Sequence, residues 1–175
     1  MKVIGFAGWS GSGKTSLIER VIAVLDARGL AVSLIKHAHH RFDIDHVGKD
    51  SWRHRRAGCR EVLVSSARRW SLMRELRDEP ELPLDALLGK LSDCDLVLVE
   101  GFKHAVIPKI EVYRVEVGEP LLFPHDPHIV AIATDADLDT ALPRLDLNDP
   151  QAVADFIVAY AFTNAFTAAA RAPGT

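Results

Sequence analysis

Gly8-Trp9-Ser10-Gly11-Ser12-Gly13-Lys14-Thr15 decides how this chain is read. The octapeptide matches the Walker A phosphate loop, G-x-x-x-x-G-K-[ST]. It lies between an apolar strand-like stretch, Val3-Ile4-Gly5-Phe6-Ala7, and a segment with Ile18, Val21, Ile22 and Leu25 at helical spacing. Glycines let successive backbone N–H groups curl around phosphate oxygens, and the next helix points its positive end at the same anion. Gly8, Ser10, Gly11, Ser12 and Gly13 form the cradle, Lys14 reaches the β/γ-phosphates, and the Thr15 hydroxyl takes a place on Mg2+. The chain reads as a nucleoside triphosphate binder.

Outward from the loop, strand and helix patterns alternate. Strands are expected at 31–36, 61–65, 95–101, 109–114 and 129–133, with a short edge strand at 70–73. The first helix should end near Arg28-Gly29 with Gly29 as its cap. Asp50 or Ser51 should cap a short helix through Arg56, another helix begins after Pro83, and a last one starts near Asp149-Pro150. This order implies an α/β fold of the P-loop NTPase type, a mainly parallel sheet with helices on both faces. A single domain is expected over 1–167, with a frayed tail over 168–175.

Ligands of such sheets gather at the carboxyl ends of strands. That rule separates two acids of one apolar run, Asp95-Leu96-Val97-Leu98-Val99-Glu100-Gly101. Glu100 ends the strand, whereas Asp95 lies five residues back, roughly 16 Å away at strand rise. Glu100 is therefore the expected Walker B-type partner of Mg2+, and Gly101 would let a backbone N–H approach the γ-phosphate. Asp43 and Asp45, in the loop after the second strand, either orient an attacking water or form Asx-turns. Lys14, Glu100 and Asp45 are the candidate catalytic side chains. Lys36, Lys49 and Lys103 are candidates for further phosphate or a substrate anion. His37, His39 and His40 raise a zinc or nickel site, but without a cysteine or a second tight pair that reading is the weaker one. The guanine-reading Asn-Lys-x-Asp is absent. Thr134-Asp135 ends a strand, so the Asp135 carboxylate either accepts guanine N1–H and N2–H or only caps the next segment. ATP and GTP stay unseparated on this basis.

Composition narrows the class. The 175 residues suit one domain with a proper core, and 48% hydrophobic with 26% charged residues is ordinary for a globular protein. A net charge of −3 provides no general attraction to nucleic acid. The clusters Trp52-Arg53-His54-Arg55-Arg56 and Arg68-Arg69-Trp70 fit RNA stacking, an anionic small molecule, or a solvated face. Cys59 and Cys94 belong to no metal-type pair and read as buried thiols. The apolar stretch 156–162 is too short to cross a bilayer, and the phosphate loop leaves no room for a signal peptide, so a cytoplasmic location is expected.

Further blocks carry a resemblance. They are Ile35-Lys36-His37-Ala38-His39-His40-Arg41-Phe42-Asp43-Ile44-Asp45, Gly48-Lys49-Asp50-Ser51-Trp52-Arg53-His54-Arg55-Arg56-Ala57-Gly58, Leu98-Val99-Glu100-Gly101-Phe102-Lys103 and Ile107-Pro108-Lys109-Ile110-Glu111. With the phosphate loop they span most of residues 3–135 and resemble the molybdopterin-guanine dinucleotide biosynthesis protein B (MobB) family. The resemblance implies a homodimeric GTP-binding protein with slow GTPase activity. It would assist the molybdopterin guanylyltransferase that attaches GMP to molybdopterin; the charge balance and the short apolar stretch separately give no membrane and no nucleic-acid partner as the expectation. The resemblance also implies that Gly11, Gly13, Lys14, Thr15 and Ser16 bind the triphosphate while Thr15 and Glu100 serve Mg2+. The His–Asp block and the Arg53–Arg56 patch would face the nucleotide, the partner or the pterin phosphate. Two rival classes share the loop. A small-molecule kinase would want an arginine-bearing lid, and 80–91 carries only Lys90 as a cation, with Arg77 just before it. A nickel-delivery GTPase would lean on the histidines alone.

Overall fold

In the computed structural model the described residues are 1–38 and 42–163, and they form two compact units. The first runs from Met1 to His37 and resumes at Leu87; the second is Ala38–Ala86. The expected tail over 168–175 lies outside the described residues.

The first unit is built on six strands: β1 (Lys2–Ala7), β2 (Val32–Lys36), β5 (Leu96–Glu100), β6 (Lys109–Tyr113), β7 (Ile129–Thr134) and β8 (Arg144–Asp146). They lie in the order β2-β5-β1-β6-β7-β8, every neighbouring pair parallel. The α/β class is the expected one; β8 is a strand that the sequence pattern does not predict. Every residue of β5 is buried, as an uninterrupted apolar run requires when both faces of a parallel sheet are covered. After β1 the chain builds one side of the sheet, β5 and β2, and then crosses to the other. The crevice of that reversal opens at the carboxyl end of β1, where the phosphate loop begins.

Two long helices, α1 (Lys14–Ala27) and α4 (Pro150–Thr163), cover one face. Leu17, Ile18, Val21 and Leu25 of α1 meet Val153, Ala154 and Ile157 of α4 over Ile4, Phe6, Leu98, Ile110 and Ala131. Each large apolar side chain fully buried here contributes about 1.5–3 kcal/mol through removal from water. The helix ends are as local chemistry dictates. Gly29, at φ 78°, allows Gly29 N–H to reach Asp26 O (2.8 Å) and Leu30 N–H to reach Leu25 O (3.2 Å), a Schellman closure. At the start of α4, Asp149 Oδ1 accepts the N–H groups of Gln151 (2.9 Å) and Ala152 (3.1 Å).

Connecting chain contributes to the opposite face and is pinned by two buried charges. Lys109 Nζ donates to Lys103 O (2.7 Å) and Ala105 O (3.0 Å) and pairs with Asp126 (2.6 Å). Glu111 accepts the N–H groups of Leu122 (2.7 Å) and Phe123 (2.9 Å), and burial still pushes its carboxyl above the usual range. Gly5 is required beneath this layer, since a Cβ there would lie 2.7 Å from the Lys109 stem and 3.1 Å from Ile107.

The second unit holds α2 (Asp50–Arg56), β3 (Glu61–Ser65) and β4 (Trp70–Arg74); α3 (Leu84–Leu88) falls at its end in sequence. The expected third strand and edge strand do form, but as an antiparallel hairpin of their own and not as members of the main sheet. The turn explains it: Ser66 Oγ accepts the N–H groups of Arg68 and Arg69, closing the chain back on itself within four residues. The cap of α2 also differs from expectation. Lys49 takes the N-cap position and Asp50 becomes the first helical residue, where its charge suits the helix dipole. Cys94 is half-buried and Cys59 is exposed, so the expectation of two buried thiols fails at Cys59.

Candidate nucleotide-binding site

The carboxyl ends of β1, β2, β5 and β6 gather the side chains of the site. Gly8 leaves β1 at φ 143°, and a Cβ there would run into the Val112 carbonyl of neighbouring β6. Gly11 (φ 81°) and Gly13 (φ 88°) adopt left-handed backbone that other residues avoid. Gly13 is the N-cap of α1, with no side-chain cap bond and no acidic residue in the first turn. The leading N–H groups of Lys14, Thr15 and Ser16 are thus left for an external acceptor, and the helix dipole favours an anion there. Ser10, Thr15 and Ser16 are exposed, or partly so, whereas Ser12 is buried beneath the loop.

Lys14 is folded back across its own loop, Nζ donating to Trp9 O (2.6 Å) and Ser12 Oγ (3.4 Å). Burial lowers its pKa, Glu100 opposes that, and Lys103 and Lys36 lower it further. Glu100 is buried, and its two oxygens are divided. Oε1 accepts the Thr15 hydroxyl (3.0 Å), and Oε2 lies 3.2 Å from Lys36 Nζ. The two side chains expected to serve Mg2+ are thus in direct contact, across 85 residues of sequence. Glu100 O also accepts His37 N–H (2.8 Å), and Gly101, at φ 96°, would place a Cβ 3.0 Å from His37 O. Lys36 pairs with Glu100, and Lys14 feels Glu100, Lys103 and Lys36, so the positive charge here exceeds the one carboxylate and favours an anionic ligand. A glycine cradle, an uncapped helix start and a Thr–Glu pair of hard oxygens fit a triphosphate and a Mg2+ ion.

Several parts of this site carry no signal in the sequence. Trp9 donates its indole N–H to Pro120 O (2.8 Å), and Lys103 Nζ lies 4.1 Å from its ring centroid. Arg114, one residue past β6, lies against Gly13, with Nε 3.4 Å from where a Cβ would stand. It also binds Asp135 through Nη1 (2.5 Å). Asp135 thus sits at a strand end, as expected, with its carboxylate engaged by a residue that no motif marks. The adjacency of β6 to β1 carries Arg114 there, and nothing local in the sequence encodes that adjacency.

Asp45 and Asp43 belong to the second unit. Asp45 accepts Ser51 Oγ (2.7 Å) and Arg55 Nε (3.2 Å), while Asp43 takes Arg55 Nη2 on both oxygens (2.8 and 2.9 Å). Hydrogen bonds from Arg55 to Asp43, and from Ser51 and Arg55 to Asp45, hold both carboxyls below the usual range. Lys49 is the α2 N-cap, also in the second unit. His39 and His40 lie outside the described residues. Among the described residues no group of three or more His, Cys, Asp or Glu side chains is arranged to hold a metal ion, and no helix among them is long and apolar enough to cross a membrane.

The phosphate loop and its Thr–Glu pair occur in many proteins, and comparison with known ones decides the family. Residues 3–135 match a family model described as molybdopterin guanine dinucleotide synthesis protein B. The chain belongs to the MobB family. Two curated relatives are called molybdopterin-guanine dinucleotide biosynthesis adapter protein. The Escherichia coli K12 protein is 45% identical over 159 residues, covering 89% of this chain and 91% of the relative. The Haemophilus influenzae protein is 43% identical over 156 residues, covering 89% and 86%. Among solved structures, a crystal structure of a MobB protein superposes with TM-score 0.72 at 29% identity, covering 90% of this chain and 97% of that one. Bacillus subtilis MobB superposes with TM-score 0.70 at 24% identity, covering 91% and 97%, a likeness of fold.

Proposed function

We propose that this protein binds GTP with Mg2+ at the phosphate loop. In this reading it serves as an adapter in molybdopterin-guanine dinucleotide biosynthesis, working with the guanylyltransferase that joins GMP to molybdopterin. The observation that carries the nucleotide reading is the Thr15–Glu100 hydrogen bond beside a folded-back Lys14. Gly8, Ser10, Gly11, Ser12, Gly13 and Ser16 would line the phosphates through the loop and the first turn of α1. Lys14 would exchange its contact with Trp9 O for the β/γ-phosphates. Thr15 and Glu100 would hold the Mg2+, which neutralises phosphate charge when bound. The Gly101 N–H would approach the γ-phosphate, with Arg114 and Asp135 flanking the nucleoside end. The choice of GTP over ATP, and the adapter role, rest on the family and its relatives.

Hydrolysis in this reading is slow. Glu100 is occupied by the Thr15 hydroxyl and the Lys36 ammonium, so no free carboxylate stands ready there to take a proton from water. Asp45 is held by Ser51 and Arg55, and its proposed part is to position Arg55. A homodimer is the proposed assembly. The hairpin supplies a surface for it, with Leu63, Val64, Trp70 and Leu72 all exposed.

Titration calorimetry tests the nucleotide reading. GTP with Mg2+ should bind saturably, and Lys14→Ala should weaken binding by about 100-fold or more, about 2.7 kcal/mol, with an unchanged circular dichroism spectrum. Absence of saturation at millimolar GTP overturns the reading. Co-elution with the guanylyltransferase tests the adapter role, and light scattering with Trp70→Lys tests the dimer.

A further inference from the structure

The phosphate loop has two flanks. On one side of β1, the strands β5 and β2 deliver Glu100 and Lys36, the acid and the cation beside Thr15. On the other side, β6 and β7 deliver Arg114 and Asp135. Register fixes this second flank. Ala7 is level with Glu111, and Tyr113 with Thr134. The residues that follow β6 and β7 therefore emerge side by side, next to the chain that leaves β1 for the loop.

Arg114 lies between two neighbours. Nη1 donates to Asp135 (2.5 Å), whereas Nε and Nη2 are turned to Gly13, 3.4 and 3.9 Å from where a Cβ would stand. Gly13 is the N-cap of α1, so this edge of the guanidinium lies at a helix start that has neither a side-chain cap nor an acid in its first turn. A cation is unfavourable there, because the helix dipole already places positive charge at that end. Asp135 offsets the charge of Arg114 from one edge only. Among the described residues no carboxylate other than Asp135 pairs with Arg114. The side chain is about one-third exposed, so a ligand in the loop can reach it. A guanidinium can hold a carboxylate on one edge and a phosphate on another, each through charge-assisted hydrogen bonds. An anion lying between Arg114 and the first turn of α1 would satisfy both.

We propose that Arg114 is a ligand of the phosphate nearest the nucleoside, and that Asp135 is a positioning residue that holds Arg114 and does not read the base. The inference rests on the nucleotide reading above and adds to it a second cation, on the flank opposite the Thr15–Glu100 pair. Nε and Nη2 donate to phosphate oxygens while Nη1 stays on Asp135. A phosphate contact carries no information about the base. Arg114 therefore contributes alike to GTP, ATP and inorganic tripolyphosphate, and Asp135 contributes only through Arg114.

Calorimetric titration of the full chain with Mg2+ and tripolyphosphate, GTP, ATP or XTP tests both parts. Arg114→Gln should weaken tripolyphosphate, GTP and ATP by a common factor of about tenfold. Arg114→Lys should weaken them by about threefold, since an ammonium keeps the charge and loses the fork. Asp135→Asn should weaken the same ligands by about threefold and leave the ratio of XTP to GTP affinity within about twofold. Added to Arg114→Gln, it should have no further effect, the non-additivity expected of a residue that acts through another. All variants should keep the circular dichroism spectrum of the parent. Tripolyphosphate affinity unchanged in Arg114→Gln overturns the phosphate contact. A shift of about tenfold or more toward XTP in Asp135→Asn overturns the positioning role, because an amide that gains xanthine marks a carboxylate that met guanine N–H groups. Additive losses in the double variant overturn it as well. If the parent chain itself binds none of these polyphosphates, the nucleotide reading falls and this one with it; parent binding that ignores Arg114 removes this one alone.

Discussion

Between β1 and α4 the first unit buries Ile4, Phe6, Leu98, Val112 and Ile157 almost completely. In residues 38–86, by contrast, Leu84 is the one buried apolar side chain among the described residues. The centre of the second unit is instead Arg55, a side chain only 12% exposed, bound to Asp43, Asp45 and Glu75. The ion pairs of Arg74 with Glu61 and Glu79 tie the hairpin in the same way. One unit is a core that excludes water, and the other is a lattice of charge-assisted hydrogen bonds around a cavity of about 920 Å3. The first kind of structure is stiff and suits a fixed cradle for phosphate. The second depends on geometry at a few guanidinium groups, and its response to pH and salt differs accordingly.

That contrast can be broken from the core side first. Phe6→Ala should cost about 3–5 kcal/mol in denaturant unfolding, because Phe6 is packed in the core that both long helices cover. A loss below about 1 kcal/mol would mean that the first unit is not held by its core. From the other side, Arg55→Ala releases three carboxylates at once. Amide exchange in 42–75 should then rise by about tenfold or more, with β1 and β5 protected as before. Equal acceleration in both units would erase the distinction.

Acid sharpens the comparison, because the two units carry carboxyls shifted in opposite directions. Asp43 and Asp45 are depressed by their bonds to Arg55 and Ser51, so their contribution is complete above the unfolded value near pH 4 and is lost as pH falls through the folded values. Glu111 is raised by burial, so its contribution is complete below about pH 4 and is lost as pH rises through the folded value. On acidification the second unit should therefore loosen first. Single-tryptophan chains retaining Trp52 or Trp9 test this by fluorescence; a Trp9 transition at the higher pH contradicts it. The smallest expected effect is salt: about 0.5 M NaCl should speed exchange at Arg74 and Glu79 by less than about threefold and leave β5 unchanged.

The legible parts of the fold are those whose signal is local. The Gly8–Thr15 cradle, the unbroken apolar run of β5, the Gly29 stop and the strand-end position of Glu100 each come from spacing and residue type. The hairpin is the informative failure. Glu61–Ser65 and Trp70–Arg74 have the right residues for strands, but pairing partners depend on a turn at Ser66 that the pattern does not mark. The Arg55 cluster is equally hidden, since an arginine in a basic run reads as a solvated face until three acids from elsewhere in the chain reach it.

The amino-acid order alone therefore determined a phosphate loop at the start of a parallel α/β sheet, and which acid would face it. Those features are set by backbone conformation, strand rise and helical period, all short-range. Only the tertiary structure decided that β6 lies beside β1 and so delivers Arg114 to Gly13. It likewise decided that Lys36 and Thr15 divide Glu100 between them, and that residues 38–86 close around Arg55 to leave a cavity. Contacts between residues far apart in the chain are chosen by packing and by the cost of burying an unpaired charge, and neither is written in any local stretch.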